Sequence, residues 1–341
     1  NFCSGLLARP PCEAAHAGLN EAAHAVESMR IDSVSRRTAV LQACLALSPW
    51  LSPAPATPAE PTAEQVLVAK RAYEAFDNRQ LPLADELFTA TIESWRGLGR
   101  GVEELTSLLV ARAGVRVDRT DFAAAKADFD EAIELMAPTA EPAAAGGRAR
   151  YREYPDAFVQ RGLAREGLRD WQGALSDYDR AVGLWGGSGD GVNPFALSYR
   201  GRARAEVGDL DGALADFRAS AALFARVDKN DNQAAAARAQ EAVTLYGLGR
   251  YDEATRIARQ VVTRTPGFTD LRVLLAADAW ERGDKALAFK EWDFACEVIV
   301  TGCKKYKDVD GWLTEVRRWP PRAIEAQRAF LERRPPTRAA L

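Results

Sequence analysis

Small and aromatic residues recur along the chain with helical spacing, and the same pattern returns several times. Residues 170–182 read DWQGALSDYDRAV, residues 209–221 read DLDGALADFRASA, and a related stretch starts at Arg250. Each contains an alanine followed four and seven residues later by side chains that share its helical face. Six such anchor alanines align: Ala84, Ala125, Ala174, Ala213, Ala254 and Ala288. Five of them have an aromatic residue four positions later, so the pattern predicts a packed helix at each anchor.

A second set of small residues predicts a partner helix before each anchor. Twelve positions upstream, every unit has alanine or glycine: Ala72, Ala113, Gly162, Gly201, Ala242 and Ala276. A short turn separates the two helices, and Gly208, Gly249 and Gly283 in these turns suit the left-handed conformation that ends a helix. One helical hairpin cannot bury its apolar face alone, whereas stacked copies can. The chain is therefore predicted to be a stack of helical hairpins.

The hairpin pattern resembles the tetratricopeptide repeat, a helix–turn–helix unit of about 34 residues. The resemblance covers residues 64–298, where the anchors are 41, 49, 39, 41 and 34 residues apart, so only the last spacing is standard. It implies an all-α fold, a right-handed α-solenoid of about six repeats that ends in a capping helix. Residues 299–341 are interpreted as that cap and tail, with a helix after Pro321.

First helices in this family line a concave groove that receives peptides or protein segments. By this resemblance the candidate groove residues are Tyr73, Phe76, Val159, Leu163, Arg202, Tyr246 and Trp280. The best-known peptide-binding members hold a C-terminal carboxylate with a lysine and an asparagine four residues apart. The corresponding pairs here, such as Val159/Leu163 and Ser198/Arg202, do not match. The expected occupant is therefore a helix or another apolar segment of a partner protein.

The N-terminal region has the pattern of an export signal. An arginine pair at 36–37 precedes an apolar stretch at 39–51, and the small residues at 54–56 suit a signal peptidase. The arginine pair resembles the twin-arginine export signal. We interpret residues 1–56 as a targeting presequence and residues 57–63 as a Pro/Ala linker.

Two places of action fit this signal. The residues upstream of the arginine pair resemble the two-part presequence of some plastid proteins, which predicts the chloroplast thylakoid lumen. A signal that starts at Met29 would instead be bacterial and would lead to the periplasm. The upstream residues favour the lumen. The segment TGCKKYKDVDGWLTEVRRWPP, which starts at Thr301, is also similar to the C-terminal segment of lumenal repeat proteins of chloroplasts.

Composition argues against several function classes. The formal net charge is -3, without the basic footprint that nucleic-acid binding requires. The chain has no apolar run of about 18 residues that could span a membrane, and peripheral membrane association stays open. The two histidines, His16 and His24, both lie in the predicted presequence, so the remaining chain lacks the commonest general base. We expect no enzymatic activity, no cofactor and no metal site.

Two cysteines remain after the presequence, Cys296 and Cys303. Seven residues apart on a straight helix, their Cα atoms would be separated by about 10 Å, which is too far for a disulfide. The favoured prediction is therefore two ordinary cysteines near the core. A helix break at Gly302 would bring them closer, and an oxidising compartment would then permit a disulfide or a redox switch.

Together these features predict a non-enzymatic protein–protein interaction scaffold, an assembly or maintenance factor for a thylakoid membrane complex. One alternative is a bacterial periplasmic scaffold of the same fold. The other is a redox-active lumenal protein that uses Cys296 and Cys303. The partner's identity, the oligomeric state and the true N-terminus are left open by the sequence.

Overall fold

Every regular element that the structure describes is helical. The computed structural model describes residues 59–99, 101–140, 154–187, 189–299 and 302–333. Within these ranges the α-helices are α1 (Ala63–Asp77), α2 (Leu81–Gly97), α3 (Val102–Asp118), α4 (Phe122–Ala140), α5 (Tyr154–Gly167), α6 (Trp171–Leu184), α7 (Pro194–Glu206), α8 (Leu210–Arg226), α9 (Asp231–Gly247), α10 (Tyr251–Arg264), α11 (Thr269–Glu281), α12 (Lys285–Asp293) and α13 (Pro321–Arg333). The predicted all-α class is confirmed, and the predicted presequence lies outside the described residues.

Consecutive helices pack in pairs. Helix α1 packs on α2, α3 on α4, α7 on α8, α9 on α10, and α11 on α12, while Arg161 of α5 donates two hydrogen bonds to Asp177 of α6. From α1 to α12 we call the odd-numbered member of each hairpin the first helix and the even-numbered member the second helix. Neighbouring hairpins also touch, since α2 packs on α3, α6 on α7, α8 on α9 and α10 on α11.

The chain divides into two compact units, residues 1–157 and residues 158–341. Helices α1 to α4 belong to the first unit, whereas residues 158–167 of α5 and helices α6 to α13 belong to the second. Each unit therefore has packed hairpins of its own.

Close contact between the two helices of a hairpin explains the recurring small residues. All six anchor alanines are completely buried. A Cβ atom on Gly162 would lie 2.5 Å from Cε1 of Tyr178, and one on Gly201 would lie 2.9 Å from Cε1 of Phe217. Because the aromatic ring four residues after the anchor fills the space beside the first helix, any larger side chain there would overpack the core.

Each turn inside a hairpin contains one residue with a positive φ, always five positions before the anchor. Three of these positions have φ values of +90°, +77° and +80°, at Gly208, Gly249 and Gly283. The left-handed glycines are therefore confirmed. The other three have φ values of +59°, +63° and +60°, at Arg79, Thr120 and Arg169. The same backbone turn thus recurs even where the sequence has no glycine.

The two most similar segments of the chain begin with the same helix cap. Asp170 accepts a hydrogen bond from the backbone N–H of Gly173 at 3.0 Å, and Asp209 accepts one from Gly212 at 2.9 Å. A Cβ on either glycine would lie 2.1 Å from the aspartate Oδ2. The Asp-x-x-Gly pattern therefore satisfies an amide at the start of α6 and α8 and leaves room for the carboxylate.

Cys296 and Cys303 are joined by a disulfide, so the prediction of two unbonded cysteines is wrong. The assumption of a straight helix fails because α12 passes into a π-helical turn, Phe294–Val298, that ends the helix. Gly302 then turns the chain with a φ of +60°. The two Cα atoms are consequently 4.6 Å apart instead of about 10 Å.

Candidate functional site

The second unit carries a surface formed by its first helices α5, α7, α9 and α11, which we call the first-helix surface. The C-terminal segment, residues 304–333, lies on it. Helix α13 packs on α9 and α11. Arg318 Nη1 is 3.8 Å from Glu166 of α5, and Arg318 Nε is 3.9 Å from Glu206 of α7. All four first helices therefore contact this one segment.

Helix α13 is held mainly by its apolar face. Its buried residues are Ala323, Ala326, Gln327 and Phe330. The Phe330 ring is fully buried, with its centroid 5.7 Å from the ring of Trp280 and 5.2 Å from that of Trp292. The small residues let α13 approach the first helices closely, and the phenylalanine anchors its C-terminal end in the last hairpin.

Glu166 is the centre of a buried polar cluster at the other end of the surface. It accepts hydrogen bonds from the Tyr178 hydroxyl at 2.6 Å and from Arg202 Nη2 at 2.8 Å. Burial, followed by the charge of Glu166, raises the pKa of Tyr178 well above its usual value. The tyrosine is therefore neutral and donates a hydrogen bond to the carboxylate.

The arginines beside Glu166 also lie over aromatic rings. Arg202 is 4.8 Å above the ring of Tyr199, and Arg318 is 4.4 Å above the ring of Trp171. Burial lowers the pKa of Arg318 and raises the pKa of Glu206. The charges of Arg318 and Glu206 are thus partly shielded from water. In this shielded position an ion pair and a cation–π contact are stronger than on an open surface.

A second ionic contact holds the connection into α13. Arg317 donates hydrogen bonds of 2.8 and 2.6 Å to the two carboxylate oxygens of Asp270, at the start of α11. This bidentate geometry fixes the direction of the arginine as well as its position. Three acidic side chains of the first-helix surface, Glu166, Glu206 and Asp270, therefore face two adjacent arginines.

The structure brings two of the predicted groove residues into this site. Arg202 belongs to the Glu166 cluster and Trp280 contacts Phe330. Tyr246 is buried at the end of α9, where its ring packs on Tyr251. Val159 is buried within the second unit and Leu163 is partly buried. Whether any of them contacts a partner stays a prediction.

Two other predicted groove residues lie in the first unit. Tyr73 is only 3% exposed and packs edge to face on Phe88 of α2, with ring centroids 4.9 Å apart. Phe76 is partly buried beside α3, since a Cβ on Gly114 would lie 4.0 Å from its Cζ atom. These two contacts are with their own hairpin and the neighbouring one.

Sequence reasoning missed a set of buried arginine–aspartate clamps. In three hairpins, two arginines on the first helix contact one buried aspartate on the second helix. Arg161 and Arg165 hold Asp177 in this way, with nitrogen–oxygen distances of 2.6 and 3.0 Å. The equivalent clamps are Arg112/Arg116 with Asp128 and Arg200/Arg204 with Asp216. The available signal was Arg-x-x-x-Arg followed twelve residues later by aspartate.

The described part of the chain lacks two features, a metal-binding cluster and a membrane-spanning helix. No group of three or more histidine, cysteine, aspartate or glutamate side chains is arranged there to hold a metal ion. No helix among these residues is long and apolar enough to cross a bilayer.

Comparison with known proteins identifies the fold. No protein-family model matches the chain, and no curated protein matches its sequence. A tetratricopeptide repeat protein from Parabacteroides merdae has a similar structure, with a TM-score of 0.51 and 16% identity over 68% of this chain and 78% of that one. A chain of the APC/C hetero-tetramer Cut9–Hcn1 matches with a TM-score of 0.51 and 12% identity, over 78% of this chain and 42% of that one. The fold is that of tetratricopeptide repeat proteins.

Proposed function

We propose that the protein is a non-enzymatic interaction scaffold that binds a segment of a partner protein on the first-helix surface of its second unit. Stacked helical hairpins present extended surfaces of this kind. The observation that carries the proposal is that this surface already holds a polypeptide, residues 304–333, through a buried phenylalanine and arginine–carboxylate pairs. A surface with this combination of contacts has the chemistry to bind another helix.

The finer proposal concerns the place of action. We place the scaffold in the thylakoid lumen of a chloroplast, where it would help to assemble or maintain a photosynthetic membrane complex. The support is the arginine pair at 36–37, the apolar stretch after it and the C-terminal resemblance. The same scaffold in a bacterial periplasm is the alternative.

The test is affinity purification of the tagged protein from its native membranes after mild crosslinking, with mass spectrometry of the captured proteins. We expect subunits of a photosystem or cytochrome complex to be enriched. Glu206→Lys reverses one charge of the first-helix surface, and Asp190→Lys is the matched control on an exposed loop. Enrichment should be lost with the first variant and kept with the second.

Two results would contradict the proposal in different ways. Recovery of envelope proteins of a bacterial periplasm would overturn the place of action and leave the scaffold. Recovery of nothing above background, or equal recovery with Glu206→Lys, would overturn binding on this surface.

A redox-active protein is the second candidate, favoured by the disulfide between Cys296 and Cys303. Cys303 is 4% exposed, which shields its sulfur from attack by a protein thiol, whereas Cys296 is only partly buried. Incubation with reduced thioredoxin, followed by alkylation and mass spectrometry, separates a redox role from a structural one. Rapid exchange would support redox activity, and a disulfide that stays oxidised would remove it.

A further inference from the structure

The C-terminal segment fits the first-helix surface at a glycine as well as through its apolar face. A Cβ on Gly247, at the end of α9, would lie 2.6 Å from the Cβ of Pro320. Gly247 thus leaves the space through which the chain enters α13, so the contact is more than an apolar face covered by a nearby helix.

The same contact is incomplete in its hydrogen bonds. Among the described residues, Nε of Arg202, Nε of Arg318 and Oε1 of Gln327 are buried without a hydrogen-bond partner. Arg318 also has a φ of +52°, a left-handed conformation that is unfavourable for an arginine. The two unpartnered atoms that belong to the segment, on Arg318 and Gln327, and the strained backbone lower the stability of the seated segment. An external helix that makes the same contacts without these defects can compete with it.

We propose that residues 304–333 are an internal ligand of the first-helix surface, which a partner helix of the same chemistry displaces. This inference rests on the proposed function and names the class of partner. The partner presents an amphipathic helix with small residues at its first and fourth positions and an aromatic residue at its eighth, as Ala323, Ala326 and Phe330 do. Arginines precede this helix and pair with Glu166, Glu206 and Asp270.

Competition between the tethered and added helices makes the inference testable. The probe is a fluorescent peptide with the sequence of residues 317–333, titrated into the full chain and followed by anisotropy. The tethered segment acts at an effective concentration on the order of millimolar, so the wild-type chain should bind the peptide at least about tenfold more weakly than an opened variant. Phe330→Asp opens the surface because it places a charge between Trp280 and Trp292.

Three controls keep the result interpretable. Glu332→Ala changes an exposed residue of the same helix and should behave as wild type. A peptide with aspartate in place of its phenylalanine should bind no variant. The double variant Arg317→Ala/Arg318→Ala opens the surface by removing charge, and it carries the test if circular dichroism shows that Phe330→Asp is unfolded.

The inference is overturned if the peptide binds wild type as tightly as the opened variants, or if it fails to bind a folded opened variant. Repeating the membrane capture with wild type and the opened variant separates this outcome from failure of the proposed function. Peptide binding without any captured partner would sustain the internal ligand and reject the scaffold. If wild type and the opened variant capture the partner equally but the peptide does not bind, the scaffold is sustained and the internal ligand is rejected.

Discussion

At the scale of single residues, the turn inside each hairpin shows how a backbone requirement persists when the sequence varies. The position five residues before each of the six anchor alanines has a positive φ, but only three of these positions have glycine. A side chain in this conformation crowds the following carbonyl, which costs about 1–2 kcal/mol. Thr120 is the least suited of the three, because it is β-branched and has a φ of +63°.

Replacing Thr120 with glycine should therefore stabilise the chain. The relief of strain exceeds the greater entropy of an unfolded glycine, and we expect a gain of about 1 kcal/mol. Gly208→Ala is the matched opposite, since a Cβ there meets no atom within 4 Å and its effect is purely conformational. Urea unfolding should shift to higher midpoints for the first variant and to lower midpoints for the second. A Thr120→Gly variant less stable than wild type would contradict this account of the turn.

At the scale of elements, the arginine–aspartate clamps join the two helices of a hairpin at a fixed register. Asp177 is almost completely buried, and both arginines that hold it are largely shielded from water. Such a pair adds little compared with a well-packed apolar contact, but removal of one partner leaves a buried charge uncompensated. The clamp thus helps to set the register of the two helices, and its loss should strongly lower the stability of the fold.

Asp177→Ala should destabilise the second unit by about 3–5 kcal/mol, because it leaves Arg161 and Arg165 without their carboxylate. Asp190→Ala is the control, since its pair with Arg226 is exposed on both sides. Thermal unfolding followed by circular dichroism should show a large decrease in midpoint for the first variant and almost none for the second. Similar midpoints for both would mean that the clamp is not an important contact.

The disulfide acts on the connection between α12 and the C-terminal segment. It closes a loop between residues seven apart in the sequence. A loop this short restricts the unfolded chain modestly, so reduction should lower stability by roughly 2–3 kcal/mol. Thermal midpoints with and without dithiothreitol measure this effect. The double variant Cys296→Ser/Cys303→Ser should not respond to the reductant, and a wild type that is equally indifferent would show that the disulfide does not stabilise the fold.

At the scale of the whole molecule, the C-terminal segment returns to helices far from it in sequence. Arg317 reaches Asp270 across 47 residues, and Arg169 contacts Glu315 across 146 residues. The first contact is mostly buried and bidentate, whereas the second is exposed. They should therefore differ in how strongly they hold the segment to the second unit.

Arg317→Gln should loosen the C-terminal segment, because hydrogen bonds to a buried carboxylate contribute about 1.5–3 kcal/mol. Hydrogen exchange by mass spectrometry should become faster in residues 304–333 of this variant. Glu315→Gln breaks only the exposed pair with Arg169 and should leave exchange unchanged. If both variants exchange at the wild-type rate in residues 304–333, the apolar face of α13 holds the segment without help from Arg317.

Much of the fold was predictable because it depends on short spacings. The anchor alanines, the small residues twelve positions earlier and the turn glycines identified the hairpins and their order. The positive φ of Thr120 and of two arginines could not be read in this way, because nothing about those residue types favours it. The clamps have a sequence pattern, two arginines four residues apart and an aspartate twelve residues after the second. Ordinary surface charges have similar spacings, however, and only burial distinguishes the clamps from them.

The sequence by itself determined the helices, their pairing and the packing of each hairpin, since all of these result from contacts between residues close along the chain. Tertiary structure alone decided that Cys296 and Cys303 meet, because a π-helical turn and Gly302 replace the straight helix. It also decided that residues 304–333 lie on the first-helix surface. That placement depends on the sum of many contacts between distant residues, such as Phe330 with Trp280, and no local periodicity encodes it.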